Sequence, residues 1–265
     1  MILAAGTRVY HIGSPPVSGL GLSWTQAELD AGMNGPIPAA VFDDHGKADV
    51  AAMLDGLAET DFEKGRLAQV LGNDREPEPW RVGEAIAETY LTHHRHCRFP
   101  WPDSRDERKS GSSLPGADLA GIQKDDQGHR LAFGEIKTSS DAKRPPNLMY
   151  GQEGLKQQLE DLQSNVPIRE TLFRYLAQRA KGSDWEGSFK AAAIRFIRND
   201  KDVCVFGILV RDVSPDKKDL QSRVEALSST NQSPMVIEVI ALYLSEGCIP
   251  TLGQKAMATR KGGSA

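Results

Sequence analysis

Apolar positions along this chain recur at two spacings, and the changes between them mark its elements. From Ala48 to Leu71 they fall at Val50, Met53, Leu54, Leu57, Phe62, Leu67 and Val70, which predicts two helices broken near Glu59–Asp61. Trp80 to His94 puts Val82, Ile86, Tyr90 and Leu91 on one helical stripe, with Ala85 and Ala87 favouring helix. Pro77 and Pro79 keep the segment before it a loop. Two apolar runs, Ala117–Ile122 and His129–Thr138, flank the turn cluster Lys124-Asp125-Asp126-Gln127-Gly128 and predict a β-hairpin. Tyr150–Leu162 reads as an amphipathic helix striped by Leu155, Leu159 and Leu162, and residues 169–181 as a second helix. Lys190–Ile197 and Val203–Val210 read as strands, the second apolar throughout and therefore central and buried. Ser214–Ser229 returns to helix, and the Val- and Ile-rich run Met235–Leu244 reads as a strand.

These elements define an α/β fold: a mixed central sheet containing strands 117–122, 129–138, 190–197 and 203–211, flanked by helices. Residues 1–40, punctuated by Gly and Pro, are expected to hold loops and short strands with little regular structure. The expected organisation is an accessory region over 1–75 packed on a core of 76–250, then a flexible tail over 251–265.

Composition changes the picture little until charge is considered. A chain of 265 residues with 39% hydrophobic and 26% charged content is ordinary for a globular protein with a proper core. No apolar stretch approaches bilayer length, and Met1–Ala5 lacks the basic start and apolar run of a signal peptide. Cys97, Cys204 and Cys248 form neither a disulfide framework nor a zinc pattern, so a cytoplasmic setting is expected. His93, His94, His96 and Cys97 sit together, but no second ligand pair follows; a solvated helix end favoured by the dipole is the expectation. The formal net charge of −4 is unfavourable for autonomous binding to a polyanion, and it points to clustered cations or to a partner that supplies affinity.

The chemistry concentrates in the hairpin. Asp118 opens the first strand, and Glu135-Ile136-Lys137 closes the second. Antiparallel pairing sets the start of one strand beside the end of the other, and alternation puts Glu135 and Lys137 on one face. Two carboxylates with the backbone carbonyl of Ile136 make a hard oxygen site suited to Mg²⁺, with Mn²⁺ able to substitute. A lysine beside such a metal can orient the attacking water or stabilise charge on a phosphate. An exposed hairpin with loosely paired charges is the bland alternative; the apolar run LAFGEIKT argues against it, because it drives charged groups into a buried strand.

This pattern resembles the PD-(D/E)XK nuclease superfamily, with Pro115-Gly116-Ala117-Asp118 standing for its Pro-Asp element, two residues separating proline from aspartate. The likeness covers about residues 80 to 165, and GADLAGI, GEIKTS and VFGILVRDV most resemble nuclease subunits of Hachiman-type antiphage systems. The resemblance implies a restriction-endonuclease-like core, metal-dependent DNA cleavage by Asp118, Glu135 and Lys137, and a helicase or ATPase partner that brings the DNA. It also implies a further glutamate from the preceding helix, with Glu84 preferred over Glu88 because Gly83 and Ala87 leave room around it. Lys143 and Arg144 in the following loop, and Gln152, Lys156 and Gln157 on the next helix, are the implied contacts to nucleic acid. Arg105, Arg108, Lys109 and Trp101 could reach phosphates and a base, but their loop reads more simply as surface. Many members act in pairs, which leaves a homodimer open; a degenerate member would keep the fold as a nucleic-acid- or partner-binding module.

Overall fold

The computed structural model describes residues 2–71, 75–101, 105 and 116–262. The chain runs β1 (Thr7–Ser14), β2 (Val17–Ser23), α1 (Gln26–Met33), α2 (Pro36–Val41), α3 (Asp44–Met53), α4 (Asp61–Leu71) and α5 (Pro79–His94). It continues through β3 (Cys97–Arg98), β4 (Leu119–Asp125), β5 (Gly128–Ser139), α6 (Leu155–Ser164), α7 (Val166–Ala180) and α8 (Glu186–Arg198). It closes with β6 (Val203–Arg211), α9 (Gln221–Thr230), β7 (Val236–Tyr243) and α10 (Leu252–Gly262).

These strands join one mixed sheet in the order β1-β2-β7-β6-β5-β4-β3. Its centre is parallel, β5 with β6, β6 with β7 and β7 with β2, while β1, β4 and β3 add antiparallel edges. As the unbroken apolar run implied, β6 is buried along its whole length. One apolar layer joins α1, α2, α5 and α10 to one face of the sheet, with Ile86, Ile136, Ile208 and Ile240 at its heart. The other layer sets α6, α7, α8 and α9 against the opposite face through Phe133, Leu159, Phe189 and Val205. Among the described residues no helix is long and apolar enough to cross a membrane.

Three expectations are corrected. Residues 1–40 are regular: β1 and β2 are paired strands of the sheet itself, and Thr25 with Glu28 closes a capping box on α1. Glycine misled there because it serves packing; a Cβ on Gly21 would lie 2.4 Å from the Tyr10 ring, so β2 keeps glycine for close approach. Residues 190–197 belong to a helix, since Phe189, Ala192, Ala193 and Phe196 are buried at helical spacing and the Ala191–Ala193 run favours that state. Finally, the expected tail is largely α10, whose Leu252 and Ala256 are buried in the first layer.

The helical phase of α8 has a direct test. Phe196→Ala should cost about 3–5 kcal/mol in urea unfolding, whereas Ile194→Lys, at a residue 51% exposed that a strand would put on the same face as Phe196, should stay within about 0.5 kcal/mol of the parent. Equal losses from both substitutions would contradict the helix.

Candidate active site

The hairpin forms as the sequence implied, with Leu119 opposite Gly134 and Ala120 opposite Phe133. One step earlier Asp118 comes opposite Glu135. The β4 ladder stops at Leu119, and the Asp118 carboxylate replaces the next backbone partner: its Oδ2 accepts from the Ile136 N–H at 2.7 Å. A strand residue turns its N–H and C=O to the same side, so the Ile136 carbonyl also points to the opening that β4 leaves. Alternation puts Glu135 and Lys137 on the face of Leu131 and Phe133, while Ile136 packs on the other face with Val82 and Ile86 of α5.

Glu135 is nearly sealed, its side chain 1% exposed, and Lys137 Nζ donates to its Oε1 at 2.7 Å. Its neighbour on β6 is Gly207. A Cβ there would lie 2.6 Å from Leu159, so α6 rests directly on the strand beside Glu135. Burial first, and then the negative charge of Asp118, raise the Glu135 carboxyl well above its usual range; Lys137 opposes this only in part. Glu135 therefore holds its proton more tightly than an ordinary carboxyl does.

The donor chemistry fits a small divalent cation. Two carboxyls that repel each other, beside a backbone carbonyl, are the hard oxygen ligands Mg²⁺ takes, commonly one or two carboxylates with water completing the shell. Among the described residues no group of three or more His, Cys, Asp or Glu side chains converges for a metal. The site is thus a two-carboxylate arrangement, with Asp118, Glu135 and Ile136 as the groups that could hold the ion.

The other implied residues divide. Glu84 stands on α5, which packs across the sheet from Glu135 and Lys137, and its carboxylate pairs with Arg81 at 2.8 Å. Glu88, one turn on, is pushed up to about 7 by burial. Lys143 is exposed, its ammonium on Asn147 at 3.2 Å. Arg144 is occupied by Ser214 at 2.6 Å and Asp216 at 3.2 Å. The helix expected from Tyr150 begins at Leu155, and its leucines fix its phase. Lys156 then lies on the flank of Glu160 and Gln163, which bond to Arg223 and Leu227 of α9, while Gln157 is exposed and bonds to Asp161. Neither faces Glu135, and Gln152 is exposed in the preceding turn.

The residue that sequence reasoning passed over is Gln158. It occupies the flank of α6 away from α9, on the β5 side, and its Oε1 is buried without a hydrogen-bond partner. A buried unsatisfied amide on that flank is a candidate to hold a site water or ligand. The leucine phasing put Gln158 on one flank of the stripe, but which flank meets α9 depends on contacts distant in sequence.

The histidine cluster also departs from expectation. His93 Nδ1 accepts from the Leu3 N–H and His94 Nε2 donates to the Leu3 carbonyl, each at 2.9 Å, so this helix end anchors the N-terminal segment. Arg105 does not stand free: it pairs with Asp43 at 2.9 Å and lies over the Trp101 ring. Pro115, Arg108 and Lys109 lie outside the described residues. The cysteines are free and buried.

No protein-family model matches the chain, and no curated protein matches it.

The carboxyl pair predicts a pH dependence. Glu135 binds its proton more tightly in the folded state, so this contribution to stability is complete below the ordinary carboxylate value of 4.5 and is lost as pH rises through the raised one. Unfolding free energies measured from mildly acidic to mildly alkaline pH should show this decline in the parent protein and not in Glu135→Gln; a constant difference between the two would contradict the raised carboxyl. Gln158→Leu removes an unsatisfied buried oxygen, so its melting temperature should equal or exceed that of the parent.

Proposed function

We infer that the protein is a metal-dependent nuclease that hydrolyses DNA phosphodiester bonds, with Mg²⁺ as its cofactor. One observation carries the reading: Asp118, Glu135 and Lys137 meet at the point where β4 ends and β5 runs on. Asp118 and Glu135 furnish carboxylate oxygens and Ile136 a carbonyl for the ion. Bound there, Mg²⁺ supplies Lewis-acid polarisation of the phosphoryl oxygen and acidifies a coordinated water. Lys137 keeps an ammonium beside the reacting phosphate, where it orients the water and offsets developing charge. Asp118 is held in place by the Ile136 N–H, which spares the site the entropy of ordering that carboxylate.

A helicase or ATPase partner belongs to the same proposal, in an antiphage setting. The charge of −4 leaves little general attraction for DNA. The α3–α4 arm supports a protein partner: Met53, Leu57 and Phe62 are 71%, 73% and 83% exposed, among acids such as Asp55, Glu59 and Asp61. Large apolar side chains left this bare in one short stretch of chain are the kind a contact surface uses.

The test is cleavage of supercoiled plasmid and of linear DNA with Mg²⁺ or Mn²⁺, alone and with a candidate helicase. Lys137→Ala and Glu135→Ala should each lower the rate by about a hundredfold or more, the scale of one charge-stabilising group. EDTA should abolish cleavage in the parent protein. Metal binding without cleavage under every condition would favour the non-cutting module, and full activity in Lys137→Ala would remove this site.

A further inference from the structure

The connection between β5 and α6 is unusually well held for a surface loop. Asp141 accepts from the N–H groups of Lys143 and Asn147 at 2.9 and 3.0 Å, and its own N–H donates to Ser139. Beneath it Arg211, fully buried, donates to the carbonyls of Asp141 and Lys143. Met149 is buried in the same apolar layer as Leu131 and Phe133, so the short turn Asn147–Met149 folds back onto the sheet face that carries Glu135 and Lys137.

This fixed loop nonetheless presents apolar groups to water. Tyr150 is 55% exposed and Leu148 44%, on either side of the anchored Met149, with the exposed Lys143 bonded to Asn147 on the same turn. An exposed aromatic whose N–H is held by the Asn147 carbonyl, with a lysine on the side chain of the same Asn147, in the loop that leaves Lys137, has the composition of a base-stacking platform. Stacking needs an open base face. In a duplex those faces are covered by neighbouring pairs, whereas an unpaired strand offers them freely.

We propose that Tyr150 and Leu148 form a stacking platform for an unpaired DNA strand, with Lys143 on its phosphates, and that the substrate is therefore single-stranded or frayed. This rests on the nuclease reading and narrows its substrate class.

The experiment measures fluorescence-anisotropy binding of a short dT oligomer, an rU oligomer of equal length and a blunt DNA duplex to the full chain carrying Lys137→Ala, which separates binding from cleavage. Adding Tyr150→Ala should weaken binding of the dT oligomer by about tenfold, the scale of one lost stack, and leave duplex binding unchanged. Tyr150→Trp should restore it, and Lys143→Ala should flatten the salt dependence by about one phosphate contact. Unchanged dT binding in Tyr150→Ala, or an equal loss on duplex, overturns the platform even where the parent cuts DNA. Tighter binding of rU than of dT overturns the assignment to DNA. A parent protein that binds no nucleic acid and cuts none defeats the nuclease reading itself, and the platform with it.

Discussion

A carboxyl in a protein interior is costly unless it is neutralised or bonded, and Glu135 meets that condition twice, with Lys137 on one oxygen and a proton affinity that burial raises well above the usual range. Much of the sheet is arranged around it. The dry environment exists because β6 beside it and β7 beyond are apolar almost throughout, and because Leu159 closes over Gly207. β4 must also end early. If its ladder continued past Leu119, a backbone group would take the Ile136 N–H and Asp118 would have no reason to turn inward.

A second buried charge holds the end of the sheet just beyond Lys137. Arg211 pairs with Asp219 at 2.9 Å, Asp219 accepts from the Tyr243 hydroxyl at 2.8 Å, and that hydroxyl meets Tyr10 at 2.8 Å. One network thus joins β6, β7 and β1 to the loop that follows β5. It explains why the N-terminal strands are integral to the core: Tyr10 reaches the network only because Gly21 lets its ring lie close against β2. Breaking such a pair leaves an uncompensated charge in the interior, which typically costs several kcal/mol. The loop beside Lys137 therefore inherits its order from residues outside the carboxyl pair.

The parts that were legible in the sequence are those determined locally. Alternation and turn residues marked the hairpin, an unbroken apolar run marked β6, and i, i+4 spacing marked α5; pairing geometry alone then brought Asp118 to Glu135. What escaped depends on distant contacts. The glycines of β2 read as loop because their purpose is the Tyr10 ring and Val224. The isoleucines of 190–197 suggested a strand, yet Ile194 and Ile197 are exposed and the buried positions follow helical spacing. His93 and His94 resembled a solvated terminus because their partner, Leu3, lies some ninety positions earlier in the chain. Gln158 was passed over because the leucine stripe fixes its place on the helix but not which flank meets α9, and Lys156 proves to lie on that flank.

On the nuclease reading, the electrostatics of the carboxyl pair would couple proton, cation and substrate. By themselves these side chains offer a phosphodiester two acidic groups and one ammonium, and the chain's net charge adds no attraction. On that reading, Glu135 would have to give up the proton that burial helps it keep before it could hold a divalent ion, so affinity for the ion would rise with pH. Two carboxylates so engaged would turn the local charge in favour of phosphate and would free Lys137, which now neutralises Glu135, to act on an incoming group. On the nuclease reading, then, cation loading precedes productive substrate binding as a matter of charge balance. A stacking surface beside the site would supply attraction that does not depend on charge, which is the kind of affinity an acidic protein most needs.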